Sequence, residues 1–351
     1  MGKMFVAVDA GKYNTKVSAY NAESGTKVKT KFRTKIGEGT FDDDMFEKGT
    51  YIVQVDDGPV YKIGRDGKKE PDLETSKKSE IHRVCTMAGI ALACGDGGHE
   101  DIRAVIGIPM QICSIPEERL AYKAYILEKP GKKHLVRIKT DCNGPVREIS
   151  FSFEKTLVYP EGIGVLYEYP GKLGGPTGII DIGNLNTNNL YCDSFLVDQD
   201  FCFTDELGGK VMITRLAQTL TSELGSRVNE NLVASTLLKP YEQRALHSVK
   251  GNREIEEKSA QVISRFLVEH VQAIKQKCDT RHWPMDFMNI VCMGGTSRLL
   301  RHEILEVFGP EVFIPEEPEF VNVCGFLKKM CADAGIDITR ENGIRKGGGA
   351  A

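Results

Sequence analysis

One short pattern occurs twice in this sequence, about half the chain apart. The frame Asp-x-Gly-x-x-Asn-Thr is carried by VAVDAGKYNTK at 6–16 and returns in IIDIGNLNTNN at 179–189. Each copy follows an apolar run typical of a buried strand and precedes a returning strand. A single turn of this kind is common, because Asp and Gly both favour turns. Two copies in one frame instead favour a duplicated α/β fold, in which each of two related lobes directs a turn at a shared cleft.

The length of the chain, 351 residues, also suits two domains better than one. We expect one lobe over about 1–158 and a second over 159–321, and we expect the Gly-rich end of the chain, 346–351, to be disordered.

Hydrophobic periodicity predicts the elements of each half. In the first half the clearest are a hairpin at 51–64, which turns at Asp57-Gly58, and helices at 81–94 and 117–128. The second half is predicted to contain strands and helices at Gly178–Ile182, Leu190–Val197, Arg253–Lys277, Asn289–Met293 and Arg298–Val307.

Composition argues against several classes of protein. A formal charge of −3 is unlike that of a dedicated nucleic-acid binder, which is usually strongly basic. No apolar run reaches the roughly 18 residues that cross a membrane. The ten cysteines form no C-x-x-C pair and the first residues show no signal peptide, so we expect reduced thiols and a cytoplasmic location. The seven histidines show no metal-ligand spacing.

The two turns have the chemistry of a phosphate site. Gly11 and Gly183 let the backbone approach a ligand, and we expect them to take positive φ. Lys16 adds a mobile cation suited to phosphate oxygens. The remaining predicted contacts are neutral hydrogen-bond donors, namely Asn14, Thr15, Asn186 and Thr187.

Asp9 and Asp181 end the strands that precede these turns. Two carboxylates from opposite lobes would repel phosphate, but they suit a hydrated Mg²⁺ held mainly through its waters. The pair of turns therefore predicts a Mg–nucleotide clamped between two lobes. The chain contains neither a Walker loop nor a G-x-G-x-x-G fingerprint.

A third element is VCMGGTSRLL at 291–300, where Gly294-Gly295 lies between a strand and a helix. Two glycines at this position let a flat ring lie on the backbone, and Thr296 follows at an electropositive helix N-terminus. A Gly pair also occurs where a helix packs closely on a strand, so by itself this element leaves both readings open.

The order of these three elements resembles the actin, sugar kinase and heat-shock chaperone ATPase superfamily. Within that superfamily the chain resembles the bacterial actin-like proteins that segregate plasmids, the ParM family. The resemblance covers nearly the whole chain, and it includes YPEGIGVLYE at 159–168 and PEFVNVCGFLKKM at 318–330 as connecting segments, and ELGGKVMITRL at 206–216. It implies an α/β actin-like fold, a duplicated ribonuclease H-like architecture with two lobes around a nucleotide cleft. The resemblance further implies that each lobe carries a smaller subdomain, at about 36–100 in the first lobe and about 205–280 in the second, and that 322–345 returns to the first lobe, 1–158.

The resemblance also implies roles for further residues. Glu161 would orient the attacking water, so that the implied catalytic set is Glu161, Asp9 and Asp181. Glu206 and Lys210 would touch the ribose or base, although solvated residues at a helix start fit equally well. The other implied nucleotide contacts are Asn184, Gly294, Gly295, Thr296, Arg298 and Asn322.

The second turn departs from the family pattern, which is usually D-x-G-G-T-T-x-D. Asn184 replaces the second Gly, Asn186 stands for a Thr and Asn188 replaces the closing Asp. Amides can still bond phosphate, so nucleotide binding is expected. The loss of one acid leaves the rate of hydrolysis and the metal geometry open, and the choice between ATP and GTP is open as well.

The implied function is a nucleotide-dependent ATPase, or GTPase, that polymerises to move plasmid DNA. Its expected cofactors are ATP or ADP and Mg²⁺. Its expected partners are further copies of itself in a filament and a DNA-binding adaptor, without direct contact to nucleic acid or membrane. Two alternatives use the same fold: a monomeric small-molecule kinase, and a nucleotide-gated binding protein with little hydrolysis.

Overall fold

A computed structural model describes residues 3–72, 77–95, 98–248 and 251–338. The chain forms two compact units. The first runs to Glu168 and resumes at Phe320, and the second spans Tyr169–Glu319. The tail predicted at 346–351 lies outside the described residues.

The described residues combine runs of consecutive strands with helices. The strands are β1 (Met4–Ala10), β2 (Asn14–Asn21), β3 (Thr26–Arg33), β4 (Ile36–Glu38), β5 (Thr50–Val55), β6 (Val60–Gly64), β7 (Gly98–Ile108), β8 (Lys133–Lys139), β9 (Arg147–Pro160), β10 (Thr177–Ile182), β11 (Thr187–Asp193), β12 (Leu196–Asp205) and β13 (Asn289–Met293). The helices are α1 (Glu80–Cys94), α2 (Met110–Cys113), α3 (Pro116–Leu127), α4 (Gly164–Glu168), α5 (Gly209–Leu224), α6 (Glu230–Leu237), α7 (Arg253–Thr280), α8 (Gly295–Leu299), α9 (Arg301–Phe308) and α10 (Val321–Ala332).

Each unit is built on one sheet, and the two sheets share a pattern. In the first unit the strand order is β3-β2-β1-β7-β9-β8-β5-β6-β4, and in the second it is β12-β11-β10-β13. In both, a leading strand pairs antiparallel with the strand that returns from its turn and parallel with a later strand: β1 with β2 and β7, and β10 with β11 and β13. The leading strands, MFVAVDA and TGIIDI, are buried at every residue, which is typical of strands covered on both faces.

Helices cover these sheets with their apolar faces. Helix α1 packs against β1 and β2, and Val84, Met87 and Ile90 are fully or almost fully buried. Helix α7 buries an apolar face that includes Val262, Ile263, Leu267, Val271 and Ile274. Within the described residues, no helix combines the length and the apolar character needed to cross a membrane.

Two predicted elements in the second half are wrong in their bounds. The strand predicted at Leu190–Val197 is interrupted by a turn at Ser194–Phe195, both with positive φ, so that β11 ends and β12 begins there. The helix predicted at Arg298–Val307 is two helices, α8 and α9. Leu300 separates them with φ −97° and ψ 13°, and its side chain is fully buried.

Candidate functional site

The first repeated turn joins β1 to β2. The Gly11 N–H donates to the Asn14 carbonyl at 3.1 Å, and the strand register places Asp9 directly opposite Lys16. A Cβ on Gly11 would lie 2.9 Å from the Asn14 oxygen and 3.2 Å from the Lys16 ammonium. Only glycine fits this tight turn without displacing its neighbours.

The second repeated turn, between β10 and β11, has the same geometry. The Gly183 N–H donates to the Asn186 carbonyl at 2.9 Å, and Asp181 lies opposite Asn188. A Cβ on Gly183 would again meet its turn carbonyl at 2.9 Å. The expected positive φ is wrong for both Gly11 and Gly183, because close approach of the backbone, and not a left-handed conformation, is what requires glycine here.

Four charged groups meet beside the first turn. The two oxygens of Asp9 accept separate lysines: Oδ2 lies 2.9 Å from the Lys16 Nζ, and Oδ1 lies 3.4 Å from the Lys77 Nζ. The Lys77 ammonium also contacts the Glu161 carboxylate. Asp9, Lys77 and Glu161 are all buried, and a buried charge is tolerated only when it is paired. The positive charges of the two lysines balance the negative charges of the two carboxylates.

The charges in this cluster shift one another's ionisation. Burial alone would raise the pKa of Asp9, but the Lys16 and Lys77 ammonium groups outweigh it and hold that pKa well below its usual range. Burial disfavours a charged Lys77, yet Glu161 and Asp9 raise its pKa. For Glu161 burial prevails over the attraction of Lys77, and its pKa is raised. Asp9 therefore remains an anion, while Glu161 is the more basic carboxylate.

Lys77 is the member of this cluster that the sequence reasoning missed. It lies three residues before α1, within a stretch that carries no glycine-rich or strand-end signal. Its backbone has φ +51°, which is uncommon for a residue with a side chain. That conformation is visible only in the structure.

The connecting segments of the first unit hold Glu161 in place. The Gly162 N–H donates to the Asn322 side-chain oxygen at 2.9 Å. Nearby, α4 and α10 approach so closely at Gly164 and Gly325 that a Cβ on either residue would collide with the other segment. Asn322, predicted as a nucleotide contact, is buried and fixes the backbone next to Glu161.

Three sequence motifs converge around the second turn. The amides of Gly208, Gly209 and Lys210 at the start of α5 donate to the turn carbonyls of Leu185, Gly183 and Asn184 at 3.1, 3.0 and 2.6 Å. The Thr296 hydroxyl donates to the same Gly183 oxygen at 2.8 Å. At Gly294, φ is +89°, and an added Cβ would overlap the Asp181 carboxylate. Asp181 thus lies directly against the Gly-Gly element.

The side chains of other predicted residues are either bonded elsewhere or exposed. The Thr15 hydroxyl contacts Thr34 at 2.9 Å, and the Thr187 hydroxyl accepts from the buried Asn189 amide at 3.2 Å. Because Thr15 and Thr187 alternate with the residues at the turn, their side chains point to the other sheet face. At the helix starts Glu206 and Lys210 are exposed, as is Arg298, which lies 3.8 Å from Glu319. Gly295 follows Gly294 as the first residue of α8.

Taken separately, each turn offers groups that suit a magnesium nucleotide. Asp9 and Asp181 offer carboxylate oxygens, which are the ligands that Mg²⁺ prefers. Both turns bring the backbone close, and on the first one Lys16 supplies a cation for phosphate oxygens.

Comparison with known proteins agrees with this fold. Residues 7–164 match the family described as the actin-like proteins N-terminal domain. No curated protein sequence matches the chain. Among solved structures the chain is similar to the Alp12 filament structure, with 23% identity, a TM-score of 0.70, and coverage of 95% of this chain and 100% of that one.

Two further structures show the same likeness. An archaeal actin homolog in complex with ADP has 18% identity and a TM-score of 0.67, over 95% of this chain and 100% of that one. The apo psk41 ParM protein has 11% identity and a TM-score of 0.67, over 95% and 99%. The fold class predicted from the sequence, an α/β actin-like fold, is confirmed. The predicted resemblance to bacterial actin-like proteins is confirmed as well.

Proposed function

We propose that this protein is an actin-like ATPase that binds Mg–ATP through its two repeated turns and polymerises while nucleotide is bound. The observation that supports this most is that the two turns have the same geometry. In each, a Gly N–H donates to an Asn carbonyl, and an Asp lies at the end of the preceding strand. An ADP complex of an archaeal actin homolog of the same fold adds support for nucleotide binding. GTP is the alternative nucleotide.

The proposed roles follow from the local chemistry. Asp9 and Asp181 would hold Mg²⁺, mainly through its waters, and the ion would supply neutralisation of the phosphate charge. Lys16 contacts the β- and γ-phosphate oxygens. Glu161, the more basic carboxylate of its cluster, orients the attacking water, and Lys77 keeps that carboxylate in position. Catalysis is then mainly positioning and electrostatic stabilisation, as phosphoryl transfer requires.

The remaining proposed contacts hold the rest of the nucleotide. Phosphates approach the backbone at Gly11 and Gly183, with the amides of Asn14, Asn184 and Asn186 close by. The adenosine lies against the Gly294–Thr296 element.

The proposed filament is a homopolymer. A head-to-tail contact between identical subunits that does not close on itself produces a filament, and the Alp12 filament structure has a similar fold. We propose that the filament moves plasmid DNA through a DNA-binding adaptor. A formal charge of −3 supports an adaptor over direct contact with DNA.

The test is phosphate release with Mg–ATP and with Mg–GTP, in the absence of any phosphoryl acceptor, combined with light scattering. The variant Asp181→Asn keeps the shape of the side chain and removes its charge, and we expect turnover to fall by roughly a hundredfold or more. The exposed residue Asp286 of the same unit provides the control, Asp286→Asn. Wild-type turnover by Asp181→Asn would refute the proposed site, and a flat scattering trace with both nucleotides would refute the filament.

The same assay separates the proposal from its alternatives. A small-molecule kinase would release little phosphate until an acceptor is added. A nucleotide-gated binding protein would bind nucleotide, but its phosphate release would stay at the background rate.

A further inference from the structure

The break between α8 and α9 is held by an arginine from the connection between α6 and α7. In a continuous helix, the Leu299 carbonyl would accept the N–H of the residue four positions on. At the break it accepts from the Arg244 Nη2 at 2.7 Å, and the Arg244 Nη1 donates to the Glu303 carboxylate at 3.2 Å. One guanidinium therefore bonds the last residue of α8 and the first turn of α9.

The connection that carries Arg244 is itself anchored to its neighbours. The Tyr241 ring stacks on the His302 ring of α9, with the two centroids 3.6 Å apart. The Tyr241 hydroxyl lies 3.3 Å from the Ser264 hydroxyl of α7. The Arg244 Nε donates to the Lys239 carbonyl at 3.4 Å, within the connection. The guanidinium therefore reaches α8 from a fixed position.

The ion pair at the break is buried. The Glu303 side chain is 0% exposed and the Arg244 side chain is 10% exposed. Replacing a buried ion pair with neutral groups of similar volume often leaves stability unchanged, whereas a planar guanidinium holds its partners in one geometry. The pair is therefore better suited to fixing the orientation of α8 than to stabilising the fold.

The other end of α8 carries part of the proposed nucleotide site. Thr296, its second residue, donates to the Gly183 carbonyl of the second turn at 2.8 Å. The helix is only five residues long, Gly295–Leu299. Thr296 thus fixes one end of a short helix and Arg244 fixes the other, and the Gly294–Thr296 element turns with that helix.

We propose that Arg244 is a positioning residue of the nucleotide site, which sets the orientation of α8 and through it that of the Gly294–Thr296 element. The proposal rests on the function proposed above, in which the adenosine lies against this element. It adds a residue that lies outside every motif of the sequence. Arg244 itself would not touch the nucleotide.

The main test combines Arg244→Met with Glu303→Gln, which removes the donor to α8 without leaving an unpaired buried charge. We expect the dissociation constant for Mg–ADP to rise about tenfold, comparable to the loss of one hydrogen bond to a charged group. The thermal midpoint should stay near the wild-type value. The kcat for phosphate release at saturating Mg–ATP should also stay near it, because Lys16 and Glu161 belong to the first unit.

Two controls isolate the bond between Arg244 and Leu299. Glu303→Gln alone keeps that bond, so it should bind Mg–ADP as the wild type does. Arg301→Met removes a different bond from an arginine to a carbonyl, because Arg301 of α9 is exposed and donates to the Ile314 carbonyl at 3.3 Å. This variant should also keep the wild-type affinity.

The remaining outcomes decide against the proposal. Wild-type affinity in the double variant would overturn it, as would an equal loss of affinity in Arg301→Met. A large fall in the thermal midpoint, or a parallel loss of affinity and kcat, would show that Arg244 serves general stability instead. If the wild-type chain binds no nucleotide, the function proposed above fails together with this role; if the wild type binds nucleotide and the double variant binds it equally well, that function stands and the role of Arg244 is wrong.

Discussion

Gly294 joins β13 to α8 and offers a sharp test of the second half of the site. Its φ and ψ are +89° and 162°, a conformation that is nearly restricted to glycine. A Cβ at this position would overlap Asp181 Oδ1 and would lie 2.5 Å from the Ile182 carbonyl oxygen. The chain supplies a matched comparison in Gly309, which has φ +94° and ψ 166° but nothing within 4 Å of its Cβ.

The free energies of unfolding of the two alanine variants should differ only by the cost of the steric overlap at Gly294. Gly309→Ala introduces backbone strain, which costs about 1–3 kcal/mol. Gly294→Ala introduces the same strain and in addition forces the Asp181 carboxylate and the Ile182 backbone apart. Overpacking of this kind costs about 1–3 kcal/mol more. We therefore expect Gly294→Ala to lower the free energy of unfolding by about 2–6 kcal/mol in total.

Urea denaturation of both variants measures this difference, and nucleotide titration of the folded proteins measures its effect on the site. Gly294→Ala should also weaken Mg–nucleotide binding, because it displaces Asp181, while Gly309→Ala should bind as the wild type does. Equal destabilisation by the two variants would refute the steric argument. Wild-type nucleotide affinity in Gly294→Ala would separate the Gly-Gly element from the nucleotide site.

Two further predictions concern buried charge. Lys77→Met leaves the carboxylates of Asp9 and Glu161 buried with one cation fewer, so urea denaturation should show that the free energy of unfolding falls by about 3–5 kcal/mol. Adding Glu161→Gln should recover part of this loss. No recovery in the double variant would count against the ion pair. The His270 Nε2–H donates to the Leu207 carbonyl oxygen at 3.1 Å, and burial lowers the pKa of His270 to about 4. The unfolded chain therefore binds a proton first, and stability should fall by about 2 kcal/mol as the pH drops from 7 to 5; a His270→Gln variant with the same acid dependence would contradict this.

Much of the fold follows from local pattern. The apolar strands that precede the two turns and the amphipathic α7 are set by residues close together in sequence, so periodicity finds them. The hairpin of β5 and β6 was predicted for the same reason, since Asp57-Gly58 is a strong turn signal. The turn at Ser194–Phe195 is not predictable from the sequence, because neither residue is typical of positive φ. The break between α8 and α9 at Leu300 is not predictable either, because it falls within a continuous helical pattern.

The arrangement of the site was less accessible from the sequence. Lys77 lies 68 residues from Asp9 and 84 from Glu161 along the chain, so no spacing rule links them. The sequence placed Thr15 and Thr187 with their turns, but the alternation of a strand sends their hydroxyls to the opposite face. Side-chain direction depends on the register of the sheet, and that register is fixed by long-range pairing.

The two turns share their backbone but differ in how they are held. Beside the first, charge is concentrated: Lys16 lies opposite Asp9 in the strand register and neutralises it. At the equivalent position of the second, Asn188 lies opposite Asp181 and accepts a hydrogen bond from Thr204 at 3.0 Å. The second turn is secured instead through its carbonyls, which accept the first amides of α5 and the Thr296 hydroxyl. A duplicated scaffold has thus kept the geometry of the turn while one copy specialised in charge and the other in a network of backbone contacts. Substitutions beside the first turn should therefore act mainly through electrostatics, and those beside the second mainly through the position of Asp181.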